Sequence, residues 1–135
     1  MNYVKINGVS YDVNVAISDY EETFETLDGK NAGRGTMSGR MIRDIIGTYI
    51  GHKVTFFSKG GEAGNAAFDK LWADLVALSV KDSVHLEAAD GQNQISYEAY
   101  YTRGSRKLKR VVDGVNYWDE LAVSFVPMEA QVTPS

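Results

Sequence analysis

Apolar and polar residues alternate along most of this chain, the pattern of strands that bury one face. Val9, Tyr11, Val13, Val15 and Ile17 share one side of an extended segment, and residues 3–6 precede it across Asn7-Gly8. Asn-Gly supplies the positive φ angles of a type I′ turn, so residues 3–17 predict a hairpin. Residues 20–27 put Tyr20, Glu22, Phe24 and Thr26 on one side. They predict an extension of that second strand, or a third strand after a bend near Ser18-Asp19. Farther along, Met37, Met41, Arg43 and Ile45 face one way, against Ser38, Arg40, Ile42, Asp44 and Ile46. The glycines at 47 and 51 predict a connection, followed by a short strand at 53–57.

The period then changes. Phe68, Leu71, Trp72, Leu75 and Leu78 recur at helical spacing, and Ala66, Ala67, Ala73 and Ala77 favour a helix. One helix over residues 63–79 is predicted, its apolar stripe lying on a sheet. Residues 84–89 and 94–102 predict a second hairpin around Asp90-Gly91-Gln92-Asn93, with Ile95, Tyr97, Ala99 and Tyr101 on one face. Arg103 to Arg110 reads as a basic loop leading to Val111-Val112, and Asp113-Gly114 as a turn before a last strand at 117–126. In that strand Trp118, Glu120, Ala122, Ser124 and Val126 oppose Tyr117, Asp119, Leu121, Val123 and Phe125. The tail, 127–135, reads as extended or frayed. The expected fold is mainly β in the α+β sense: an antiparallel sandwich or barrel of about seven strands, one flanking helix and a long glycine-rich hairpin loop.

Composition narrows this picture. At 135 residues the chain predicts one domain, 1–135, with room for a core that needs no metal or disulfide. There is no cysteine, which excludes disulfides and thiolate metal sites. No window is apolar enough for a membrane span or a signal peptide, so a soluble protein made inside the cell, with no membrane partner, is expected. A net charge of -4 gives no overall pull toward nucleic acid.

Candidate chemistry is sparse. His52 and His85 lack any metal-ligand spacing, and His85 reads as a surface pair with Glu87. There is no GxSxG nucleophile elbow, and the neighbours in Glu21-Glu22 and Asp119-Glu120 point to opposite faces of a strand. Residues 28–39 form a long loop between two strand patterns, with Gly29, Gly33, Gly35 and Gly39. A phosphate cradle fails there on spacing: Gly33-Arg34-Gly35 runs one residue too far to the next glycine, and a strand pattern follows, not a helix. An EF-hand fails because Gly39 holds the last ligand position. The loop then reads as a lid or an assembly arm, and no catalytic group lies near it in sequence.

Charge is the remaining pattern. Asp19, Glu21, Glu22, Glu25 and Asp28 form a purely acidic stretch, and Arg103, Arg106, Lys107, Lys109 and Arg110 a purely basic one. Two solvated surfaces would account for them. Complementary faces on identical subunits would too, with the acidic set (Asp19, Glu21, Glu22, Glu25) meeting the basic set head to tail.

Tyr3-Val4-Lys5-Ile6-Asn7-Gly8, Ser38-Gly39-Arg40-Met41-Ile42-Arg43-Asp44 with Gly47-Thr48-Tyr49, and Asn116-Tyr117-Trp118 with Phe125-Val126-Pro127-Met128 carry a resemblance. They resemble small proteins of the tail modules of phages and prophages of Firmicutes. The element order is similar to that of the phage tail-tube superfamily, which includes tube subunits, distal-tail and baseplate-hub rings and tube terminators. The resemblance implies a structural subunit in a ring, hexameric in such proteins, whose partners are its own copies and neighbouring tail proteins. DNA would pass through as cargo. No catalysis and no cofactor are implied, and the place would be the virion tail, after synthesis in the host cytoplasm. Loop 28–39, with Lys30, Asn31, Gly33, Arg34, Gly35 and Met37, would be the inter-subunit arm. Unlike the best-known tube subunits, this chain carries no added surface domain. Alternatives are a head–tail connector or terminator, or a stand-alone β-sandwich binding module using Trp72, Trp118 and the tyrosines as a stacking platform.

Overall fold

The computed structural model describes residues 4–29, 33–34 and 41–134. Asn7 (φ 51°) and Gly8 (φ 78°) adopt the predicted left-handed turn. The hairpin it was to close is only a single bridge, Ile6 to Val9. Strand β1 (Val4–Ile6) pairs instead with β7 (Val84–Asp90), and β2 (Asn14–Val15) pairs with β6 (Ile45–Phe57). The intervening residues turn aside so that the Tyr11 hydroxyl can donate to Asp74 of the helix at 2.6 Å. A short 3-10 turn at Ile17–Asp19 leads into β3 (Glu21–Asp28), the separate third strand that the sequence left as one option.

The other strands are β4 (Gly33–Arg34), β5 (Met41–Ile42), β8 (Asn93–Tyr100), β9 (Gly104–Val112) and β10 (Val115–Pro127). Eight strands join in one antiparallel sheet, with β4 and β5 forming a separate small pair. The main sheet is curled into a half-barrel. Strand β10 causes the curl by serving two neighbours along one edge. Residues 115–123 pair with β9, and Val126 and Pro127 pair with β8. Helix α1 (Gly61–Leu78) buries Phe68, Leu71 and Leu75 against Val54, Phe56, Leu86, Leu121, Val123 and Phe125. Each such side chain contributes about 1.5–3 kcal/mol through burial. The Tyr101 hydroxyl donates to the Leu75 carbonyl at 2.5 Å and fastens the helix to the sheet. Fold class, helix stripe and the β7–β8 hairpin agree with the sequence reading.

Three expectations need correction. First, residues 47–52 make no connection: β6 runs unbroken through both glycines. They are glycines because other chain segments press on them. A Cβ at Gly47 would lie 2.5 Å from the Ala130 Cβ, and one at Gly51 would lie 2.9 Å from the Phe125 carbonyl oxygen. Second, the basic stretch is no loop but strand β9. Third, strict alternation fails in β10, because Glu120 (φ 55°) is a bulge residue between pairs Asp119–Lys107 and Ala122–Ser105. The extra residue brings Trp118 to the side of Leu121 and Val123, where it packs against the buried core.

Residues 129–132 of the tail are also pinned. They lie along the β6 edge left open where β10 departs toward β8. Thr48 exchanges backbone hydrogen bonds with Val132, and the Gln131 amide side chain both accepts from Ile50 N and donates to Ile50 O, each at 2.9 Å. One side chain thereby supplies both partners that a neighbouring strand would have offered.

Candidate functional site

Two ribbons leave opposite ends of the central β6–β10 pair. Strands β6 and β10 pair only over residues 52–56 and 121–125. Beyond one end, residues 45–51 of β6 continue with β3. Beyond the other, residues 115–120 of β10 continue with β9. The acidic stretch lies on the first ribbon and the basic stretch on the second.

On the acidic ribbon the carboxylates divide between faces. Glu21 and Glu25 stand across from Lys53 and Tyr49, while Glu22 is on the opposite face, across from His52. Asp28 pairs with Arg43 at 2.8 Å, and Asp19 sits exposed in the 3-10 turn. No ion pair among the described residues involves Asp19, Glu21 or Glu25. Interleaved with them, Phe24 is 77% exposed, and Leu27, Ile45 and Ile46 are exposed as well. Glu21, Thr23, Glu25, Tyr49 and Gly51 line one side of a shallow groove of about 260 Å³ whose other side is β10.

The root of this ribbon holds a buried polar cluster that the sequence reading did not identify. His52 is 2% exposed. Its Nδ1 lies 2.6 Å from the Tyr97 hydroxyl, and its Nε2 lies 2.9 Å from a Glu22 carboxylate oxygen and 3.2 Å from the Ala89 carbonyl. Both partners of Nε2 only accept, so the proton sits there and Tyr97 donates to Nδ1. Burial pushes the Tyr97 phenol up and keeps it a donor. Tyr20 completes the cluster, accepting from Ala89 N at 2.8 Å, and burial pushes its phenol up to about 12. Four strands meet at this one imidazole. Its ring nitrogens are fully engaged and its side chain is closed to solvent, so it ties strands together and offers no general base to a substrate. His85 pairs with Glu98 at 2.9 Å, not with Glu87.

On the basic ribbon most of the charge is already engaged. The Arg106 guanidinium lies between two indoles, 4.6 Å from the Trp72 ring centre and 4.3 Å from that of Trp118, and pairs with Asp69 at 3.0 Å. Its side chain is only 17% exposed. Lys107 and Lys109 share the Glu120 carboxylate, which they hold below the usual carboxylate range, with Lys109 as the stronger cause. Arg110 stacks on Tyr117 at 4.4 Å, and Arg103 stands exposed before β9. Leu108, Val111, Val112 and Val115 are exposed between these cations. The tryptophans suggested as a stacking platform receive Arg106 between them, which takes one face of each.

Of the suggested loop residues, Gly33 and Arg34 form β4 and pair with Ile42 and Met41 of β5. Lys30, Asn31, Gly35 and Met37 lie outside the described residues. Among the described residues no group of three or more His, Asp or Glu is placed to hold a metal ion, and no helix is long and apolar enough to cross a membrane. The cluster at His52 had one signal in sequence: His52, Val54 and Phe56 occupy alternate, inward positions of one strand, as Tyr97 does between Ile95 and Ala99. No protein-family model matches this chain, and no curated protein matches it either.

Proposed function

We propose that this chain is a structural subunit of a bacteriophage or prophage-derived tail, assembling into a ring of the tail tube, distal tail or baseplate hub through which DNA passes. Function then lies in geometry and contact, not in a reaction. The observation that carries this reading is the pair of ribbons. Each runs beyond the core-forming part of the sheet and leaves large apolar side chains in water, Phe24 on one and Val111 on the other being more than half exposed. Exposed apolar residues rimmed by charge mark surfaces meant for a protein neighbour. Placement at opposite ends suits a subunit contacted on two sides, as in a closed ring. The half-barrel supports it further, since β3 and β9 each pair with only one strand in the described sheet.

Sedimentation of the purified protein across a wide concentration range, with negative-stain imaging of the heaviest species, tests this. Rings with a central hole are expected, either from the protein alone or after mixing with its tail partners. A chain that stays monomeric in both settings would falsify the proposal.

A further inference from the structure

We infer that the β9–β10 ribbon of one copy seats on the β3–β6 ribbon of a second copy, in a head-to-tail contact of basic on acidic surface with apolar side chains buried between. Resting on the self-assembly proposed above, this assigns the contact to two particular surfaces.

Three observations converge on it. The ribbons leave opposite ends of the β6–β10 pair, so a contact between unlike ribbons uses a different surface on each copy and leaves one of each kind free. Their free charges are opposite. Among the described residues Glu21 and Glu25 make no ion pair, Lys107 and Lys109 share a single carboxylate, and Arg103 and Arg110 have no acidic partner. A like-with-like pairing would set carboxylates against carboxylates. Exposed apolar groups share the faces of those charges: Leu27 stands with Glu21 and Glu25 on one, and Val112 and Val115 stand with Lys107 and Arg110 on the other. The register shift at Lys109 breaks the regular ladder of β9, so an extended strand addition along that edge is disfavoured. Side chains carry the contact, and Arg106, locked between Trp72 and Trp118, takes no part in it.

Reciprocal charge reversal tests the contact. One variant carries Glu21→Lys and Glu25→Lys; the other carries Lys107→Glu and Arg110→Glu. All four residues are exposed, and circular dichroism and thermal melting check that each variant folds. Each variant alone is expected to self-associate at least about tenfold more weakly than the parent in sedimentation velocity. An equimolar mixture is expected to recover assembly, because each ribbon then meets its opposite sign on the other variant. Leu27→Asp, at an exposed site on the face of Glu21 and Glu25, is expected to weaken association without that rescue. Parent-like association by either charge variant, or a mixture that stays apart, overturns this contact. If the parent still forms rings in that case, the tail-subunit reading survives it. If the parent is monomeric alone, this contact fails too, and imaging with tail partners decides the tail reading separately.

Discussion

The two ribbons are built on the same plan and secured by different means. The basic ribbon is held from within: Arg106 fills the gap between Trp72 and Trp118, Arg110 covers Tyr117, and Glu120 draws in Lys107 and Lys109. On the acidic ribbon Glu21 and Glu25 make no ion pair among the described residues, and its root is secured by hydrogen bonds, His52 with Tyr97 and Glu22 and Gln131 with Ile50. A run of charge in a sequence is therefore not a count of free charge. Cations have long stems that lie on aromatic faces, and a strand with aromatic cross-strand neighbours absorbs them into its packing. Carboxylates have no such stem, and on a strand edge they stay in water.

The largest effect expected from this contrast is alkaline loss of the acidic ribbon's root. Tyr20 and Tyr97 have phenol pKa values raised in the fold, chiefly by burial. A raised value means that the fold favours the protonated form. Its contribution is complete below the unfolded value of about 10 and disappears as pH climbs through the folded value. For Tyr20 that window closes near about 12. Urea midpoints should thus be flat up to about pH 10 and fall steeply above it. Tyrosinate absorbance should rise together with unfolding, and Tyr20→Phe should flatten the fall. A Tyr20→Phe protein with the parent's alkaline profile would break the assignment.

Next in size is the difference between two arginines of β9. Arg106→Ala removes a guanidinium from between two indoles and opens a gap between helix and sheet. A loss of about 1–3 kcal/mol is expected in urea unfolding. Arg110→Ala uncovers one face of Tyr117 at an exposed site and should cost under about 1 kcal/mol. Equal losses would erase the distinction between a packed base and a surface base on this ribbon.

That distinction also shows what could be read from the sequence. Turns were legible because Asn7-Gly8 and Asp113-Gly114 tolerate positive φ and few other pairs do. The helix was legible because Phe68, Leu71 and Leu75 repeat on one side, and observed Gly61–Leu78 differs from predicted 63–79 only at the ends. Strand β9 was hidden because Arg106 is its one half-buried residue, and periodicity counts an arginine as polar wherever its stem lies. The long β6 was hidden because Gly47 and Gly51 read as punctuation, while their cause, the tail and β10 pressing on them, lies more than 70 residues away. The inward place of His52 showed in its alternation with Val54 and Phe56, but its partners were hidden for the same reason. Its partners come from three other strands, and no local spacing announces a contact assembled by topology.

The smallest effect concerns Glu120, where a backbone cost and a charge gain oppose each other. Its φ of 55° is the left-handed conformation that a side chain disfavours and glycine accepts. Its ion pairs to two largely exposed lysines are of the solvated kind that contribute little to stability. Glu120→Gly should therefore raise the thermal midpoint slightly, whereas Glu120→Ala keeps the strained φ, loses the pairs and should lower it. Both changes leave Lys107 and Lys109 without their shared anion and make the basic ribbon more positive. Self-association through the acidic ribbon of another copy should then strengthen at low salt and return toward the parent value at high salt. Glu120 would in that way act as a damper on the ribbon's charge, at some cost to its backbone. A lower midpoint for the glycine variant than for the alanine variant would mean that the bulge needs its side chain. Unchanged association in both variants would mean that the lysine charges do not face the neighbour.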